Sequence, residues 1–205
     1  MRTAIWYFDF VSPFAYICLH RLKELPSDLR IEHRPVLFAG LLNHWGQKGP
    51  AELPTKRRYT YRWSHWWAHR LGVPLRFPAA HPFNPLHHLR LAIACGSKPE
   101  AVRAIFEDIW TSGADAASAE RFAALSSRLG VPREDPQAKN ILRGNTDEAV
   151  RRGVFGVPTF EVDGELFWGA DSIDFLKAFL ADPAMLGNAE MRRLDGLPVA
   201  AARKS

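Results

Sequence analysis

Apolar and polar positions follow two different periods along this chain. Residues 3–10, TAIWYFDF, form a short run of β-branched and aromatic types, too brief for a typical helix, and predict a buried first strand. After Pro13 the spacing changes. Ala15, Cys18, Leu22 and Leu25 recur at intervals of three and four, which predicts an amphipathic helix that stops before Pro26. LRIEHRPVLF, residues 29–38, predicts a second strand, so the chain opens β-α-β, the start of an α/β layer. From about Gly40 to Pro136 no further strand is predicted. LHHLRLAIACG, EAVRAIFEDIWTSG and AERFAALSSRLG instead carry helical periodicity and end at Gly96, Gly113 and Gly130. Residues 137–152 predict one more helix, and FGVPTFEVDGELFWG returns to sheet. There Asp163 and Gly164, both tolerant of positive φ, mark a hairpin. GADSIDFLKAFL predicts a closing helix with Asp171 or Ser172 as N-cap and Ile173, Leu176, Phe179 and Leu180 facing inward. Residues 186–205 are mixed and basic without a clear period, and predict a tail that is loose or ordered by a partner. The order divides the chain into an α/β unit of residues 1–39 and 137–185, a helical insertion of residues 40–136, and the tail.

With 205 residues, 47% hydrophobic and 24% charged, the chain has an ordinary globular composition and enough length to bury a core without staples. No apolar run approaches a membrane span and no secretory leader is evident, so the expected location is the cytoplasm. Cys18 and Cys95 are far apart and belong to no C-x-x-C pair, which argues against a disulfide framework, a zinc knuckle or a dithiol centre. The eight histidines are scattered, adjacent His87 and His88 point in different helix directions, and no phosphate loop is present; no metal or nucleotide is expected. The net charge of +5 is densest in KRRYTYRWSHWWAHR, residues 56–70. Interleaved Arg and Trp could stack on single-stranded nucleic acid, but Tyr59, Trp63, Trp66, Trp67 and Leu71 also fit one stripe of a helix, and the helix is the preferred reading. A moderate positive charge equally attracts small anionic substrates.

The element order, with a turn at the end of strand one and V-P-T entering the hairpin, resembles the thioredoxin superfamily with a helical insertion, as in DsbA-like proteins, over nearly all of residues 3–181. Redox members open the first helix with C-P-x-C; here the stretch is Ser12, Pro13, Phe14, Ala15, so dithiol exchange is excluded. More narrowly, FDFVSPFAY, RPVLF, GQKGPAELPTKRRY, GVPLRFP, FGVPTF and FWGADSIDFL, in that order, are similar to 2-hydroxychromene-2-carboxylate isomerases, relatives of kappa-class glutathione transferases.

That resemblance implies glutathione as the bound thiol and Ser12 as the donor that stabilises its sulfur. Taken alone, Ser12 followed by Pro13 is a common helix cap contributing about 1 kcal/mol. As a donor to a thiolate, the hydroxyl is worth about 1.5 to 3 kcal/mol, more than the roughly 0.3 to 1 kcal/mol of a helix dipole. Val157 is implied to pair with the cysteinyl backbone ahead of a cis Pro158, and Trp168, Gly169, Ala170, Asp171 and Ser172 to hold the γ-glutamyl end. Kappa relatives commonly show Asp-Arg where this chain has Asp171-Ser172, which leaves the anionic end less strongly held. Lys56 is a candidate for a glutathione carboxylate, Lys48 for glutathione or substrate, and His81 and Asn84 for substrate at the site mouth; Gln47 stands where many relatives have Asn.

The expected activity is interconversion of 2-hydroxychromene-2-carboxylate and trans-o-hydroxybenzylidenepyruvate, a small aromatic carboxylate substrate being attacked by the thiol. Ring opening, bond rotation and thiol loss follow. A kappa-like transferase or peroxidase shares the thiol site; a non-catalytic thioredoxin-fold binding module would use the basic aromatic helix instead. Relatives imply a homodimer, with no nucleic acid and no membrane partner.

Overall fold

The computed structural model describes residues 1–131 and 135–201. Four strands form one mixed sheet in the order β2-β1-β3-β4. β1 (Thr3–Phe8) runs parallel to β2 (Arg30–Pro35), with Trp6 opposite His33, and antiparallel to β3 (Thr159–Val162), with Trp6 opposite Phe160. β4 (Glu165–Trp168) closes the hairpin through Asp163 and Gly164, which take φ of 52° and 88°, the left-handed pair that a two-residue turn requires.

Alternation along β1 sorts its side chains between two cores. Trp6 and Phe8 join Phe10, Phe106 and Phe160 in a main aromatic core whose rings stack at 4.5 to 6.3 Å. Tyr7, on the other face, packs with Val36, Leu41, Ala149, Val154 and Val157. Tyr7 donates to Glu161, which pairs with Arg152 at 2.6 Å, and burial with that carboxylate beside it drives the Tyr7 phenol well above its ordinary value.

α1 (Pro13–Arg21) tightens into a 3₁₀ turn at Leu22–Glu24 before Pro26, shorter than its apolar period implied. The second strand also ends early, at Pro35. Val36 N–H still bonds Phe8 O at 3.0 Å, but Phe38 N–H is taken by the Asp9 carboxylate at 2.9 Å and α2 (Phe38–Trp45) begins there, inside the predicted strand. The long insertion carries α3 (Pro54–Arg70), α4 (Leu86–Ala94), α5 (Pro99–Ser112) and α6 (Ala119–Leu129); Gly113 and Gly130 end the last two in left-handed conformation, as their positions predicted. α7 (Pro136–Arg151) returns the chain to β3, and α4 packs against both α5 and α7.

After β4 a 3₁₀ turn, Ala170–Ser172, leads into α8 (Ile173–Ala181), which buries Ile173, Leu176 and Phe179 and half-buries Leu180. Beyond it, where no regular element was predicted, Asn188 caps a short α9 (Ala189–Asp195) by accepting two backbone N–H bonds. No described helix is long and apolar enough to cross a membrane. α3 forms as predicted, but of its aromatic stripe Trp67 packs against the core while Tyr59, Trp63 and Trp66 stay exposed. The buried positions are Ser64 and Ala68, small residues that let the helix approach closely, while Tyr59 is 67% and Trp66 52% exposed.

Candidate functional site

Where β1 ends, the chain turns through Asp9–Ser12 into α1. Ser12 N–H bonds Asp9 O at 3.1 Å, and Ser12 Oγ accepts Ala15 N–H at 3.2 Å, so the serine caps the helix with Pro13 at its first position. That bond uses the oxygen as acceptor. The hydroxyl proton has no acceptor among the described residues and is free for a ligand. Pro13 has no N–H, which makes Phe14 the first amide of the helix.

Beside this helix start lies a cavity of ≈ 240 Å³ lined by Phe14, Trp63, Trp67, Val157, Pro158, Trp168, Gly169, Ala170 and Asp171. Ser12, 7% exposed, is not itself among the lining residues; it stands two positions before Phe14 at the same helix end. A second cavity of ≈ 640 Å³, by Cys95, Lys98 and Arg128, contains none of the candidate residues.

The sheet side of the smaller cavity is built from backbone. The Val157–Pro158 peptide is cis, and neither the N–H nor the C=O of Val157 bonds a described residue. Pro158 O instead accepts Gly169 N–H at 2.9 Å, which ties the proline to the end of β4. Gly169 has φ 100° and ψ 151°, a region open essentially to glycine alone, and a Cβ there would collide with the Asp171 carboxylate folded over it. Gly156 permits a second close approach: a Cβ would sit 2.6 Å from Trp168 Nε1. Ser172 occupies the N-cap position of α8 without capping it. Its hydroxyl donates to Gly169 O at 2.7 Å, so neither Ser172 nor Asp171 fills the helix start with a side-chain oxygen, contrary to the sequence expectation.

Val157, Pro158, Trp168, Gly169, Ala170 and Asp171 therefore come together, with Ser172 adjoining. Lys48 and Lys56 are exposed and outside the lining. Asn84 spends its Oδ1 on Leu86 N–H at 3.1 Å, at the start of α4. His81, expected at the mouth, is a brace behind the Ser12 turn. Its Nε2 donates to Val11 O at 2.7 Å and its Nδ1 meets the Tyr61 hydroxyl at 2.7 Å, and burial pushes the imidazole below its ordinary value.

Sequence reasoning missed two charged residues beneath the site. Arg21, 8% exposed, donates to Ala170 O at 2.8 Å, pairs with both oxygens of Glu24 at 3.0 and 2.8 Å, lies 3.5 Å from Asp174, and places its guanidinium 5.9 Å from the Trp67 ring. It thus clamps α1, α3 and the turn before α8 together. Asp9 is completely buried without an ion pair among the described residues; its carboxylate accepts Val11 N–H at 3.0 Å as well as Phe38 N–H. An Arg in the last turn of a helix reads as solvated, and an Asp in a strand run reads as its end, so neither left a signal. The protein's own thiols are poorly placed for chemistry: Cys18 is buried and its thiol is pushed well up by desolvation, and burial also raises Cys95.

Sheet order, a cis proline facing a helix start and a helical insertion define a thioredoxin-type protein without its cysteine pair. The family model of the DSBA-like thioredoxin domain matches residues 3–181, and the chain belongs to that family. Within it the chain is 30% identical to a 2-hydroxychromene-2-carboxylate isomerase of Sphingobium xenophagum over 88% of its length and 99% of that protein's. It is 25% identical to glutathione S-transferase kappa 1 of Homo sapiens over 90% of its length and 93% of that chain. A solved 2-hydroxychromene-2-carboxylate isomerase structure superposes with a TM-score of 0.75 at 27% identity, covering 92% of this chain and 98% of the other.

Proposed function

We propose that the protein is a glutathione-dependent isomerase of the 2-hydroxychromene-2-carboxylate type. The observation that carries this reading is the unspent hydroxyl proton of Ser12 at a helix start, in the position where redox relatives hold a thiol. The surrounding residues fit glutathione. Val157 offers a free N–H and C=O to a peptide backbone, and Asp171 offers a carboxylate to the γ-glutamyl ammonium beside the uncapped start of α8. Bound glutathione supplies the thiol that adds reversibly to the conjugated chromene.

The chain's own contribution is to ionise and position. Ser12 donates to the sulfur while remaining the cap of α1, and the positive end of that helix adds to the donor. Together they depress a thiol from about 8.5 by roughly one to two units, enough to make it substantially thiolate at neutral pH. Phe14, Trp63, Trp67 and Trp168 supply aromatic contacts for a planar substrate, with exposed Lys48 the candidate for its carboxylate and exposed Lys56 for a carboxylate of glutathione. The reading includes a cytoplasmic homodimer, which sedimentation tests.

Replacing Ser12 by Ala tests the assignment: calorimetric glutathione binding persists, while isomerisation followed by absorbance falls roughly 10- to 150-fold, the worth of one charge-assisted hydrogen bond. Full glutathione-dependent turnover in Ser12→Ala would falsify the role. The kappa likeness supports a second reading, a transferase that shares the thiol site. Stoichiometry separates them, since an isomerase consumes no glutathione.

A further inference from the structure

Asp9 is a buried carboxylate that the proposed reaction does not use. It is wholly buried, has no ion-pair partner among the described residues, and stands three residues before Ser12. Its two oxygens reach different elements. Oδ1 accepts Val11 N–H at 3.0 Å within the turn that presents Ser12, and Oδ2 accepts Phe38 N–H at 2.9 Å at the first position of α2. Its backbone carbonyl takes Ser12 N–H, so side chain and main chain both shape the turn. α2 in turn leads to the loop that carries Lys48.

We propose that Asp9 is a positioning residue whose ionised carboxylate ties the Ser12 turn to the start of α2, and that protonation of this carboxylate loosens the tie and lowers turnover. An ionised carboxylate accepts from both amides at once. A carboxylic acid keeps only a weak, uncharged acceptor at its hydroxyl oxygen, so the bond to the Phe38 or the Val11 amide loses its charge-assisted strength.

Burial pushes Asp9 from its ordinary 3.8 up to about 7, against the lowering effect of the Phe38, Val11 and Phe10 amides, so the switch falls at neutrality instead of in acid. The charged groups of the packed elements are committed elsewhere: Arg34 of β2 to Glu32 and Glu148, Arg21 of α1 to Glu24 and Asp174, while Tyr7 of β1 donates to Glu161 and His44 of α2 is exposed. His81 is the titratable side chain that touches the same turn, through Val11 O, and its shift runs downward, opposite to that of Asp9. The sign is fixed. Above about pH 7 the carboxylate prevails and the turn is held; as pH falls through that value the proton enters and turnover drops.

The inference rests on Ser12 meeting the ligand thiol, and two measurements separate its failure from failure of that reading. In wild-type protein without glutathione, the backbone amide resonance of Phe38, which does not touch His81, shifts with a single midpoint near neutrality. An amide that stays still across neutrality overturns the proposal whatever the protein binds. With glutathione, the acid limb of wild-type kcat falls roughly tenfold further than the ultraviolet titration of the bound thiolate accounts for, because the thiol and Asp9 each take a proton, whereas in Asp9→Asn the limb superposes on that titration. Asp9→Asn also turns over roughly tenfold more slowly on the alkaline plateau, about the worth of one charged hydrogen bond. Acid limbs of identical depth and shape in the two proteins overturn the proposal. Should Asp9→Asn fail to fold, the Phe38 titration in wild type decides.

Discussion

One wall of the cleft comes from the hairpin and the turn behind it, the other from helix α3, and different forces hold them. The hairpin wall is backbone held by hydrogen bonds: Gly169 N–H on Pro158 O, the Ser172 hydroxyl on Gly169 O, and the Arg21 guanidinium reaching from α1 to Ala170 O. The helix wall is a row of indoles. Trp67, Trp63 and Trp66 lie nearly parallel, with centroids 5.8 and 5.2 Å apart, Arg21 over one end and Arg70 over the other. The first wall is placed to bind a peptide and tolerates little change. The second offers apolar surface and tolerates much.

The largest effect is expected at Gly169→Ala. Its backbone angles cost an alanine roughly 1 to 3 kcal/mol, and the Asp171 carboxylate must also move, so we expect a drop in Tm of several degrees and glutathione affinity reduced by at least tenfold. Calorimetry with thermal melts checks this. Wild-type affinity would mean that the hairpin wall is softer than its hydrogen bonds imply.

Arg21→Met comes next. The guanidinium is mostly buried, and its loss leaves the Ala170 carbonyl without a donor; Glu24 is partly solvated and water replaces part of its pairing. A destabilisation of about 2 kcal/mol is expected, with weaker glutathione binding and a nearly unchanged turnover rate at saturation. Denaturant melts and KM compared with kcat give the answer. An effect on kcat alone would place Arg21 near the reacting atoms instead of beneath the ligand.

How legible each wall was in the sequence follows the same division. The hairpin wall announces itself locally: Asp163-Gly164 demands a tight turn, and V-P-T and W-G-A-D-S stand in one continuous stretch, so the motif and the wall are nearly the same residues. The thioredoxin-like strand and helix order was legible for the same reason, since each element signals its own period. What failed depends on contacts remote in the chain. The start of α2 lies inside an apolar run and is set by a carboxylate 29 residues earlier, a bond that no local pattern encodes. His81 reads as part of a polar turn until Val11 and Tyr61 are brought to its ring. Helical spacing grouped the aromatics of α3 on one stripe, but spacing carries no information on which side faces the core, and here Ser64 and Ala68 do, with Trp67 at their edge.

A smaller effect is expected at Trp63→Ala, which strips the inner part of the helix wall. Trp63 is 38% exposed, lines the cavity and stacks on Trp67 and Trp66. KM for the aromatic substrate rises roughly five- to tenfold, about 1 to 1.4 kcal/mol, the scale of one aromatic pair, while the dissociation constant of glutathione stays as it was. Parallel loss of glutathione affinity would show that the two walls do not act separately.

The smallest effect is expected one helical turn further out, at Trp66→Ala. Trp66 is half exposed, stacks on Trp63, and carries the Arg70 guanidinium 5.7 Å from its ring, a surface cation–π contact worth about 0.5 to 1 kcal/mol at most. In the chain on its own, its removal changes stability by about 0.5 kcal/mol and leaves both ligands' affinities untouched. Melts over a range of protein concentrations make the test sharp. A destabilisation well above 1 kcal/mol that shrinks on dilution, as assembled and variant proteins converge, would show that a second copy covers the outer stripe and that its rings are core residues of an assembly. A small, concentration-independent change leaves the stripe as solvent-facing aromatic surface, with the inner indoles alone contributing to the cleft.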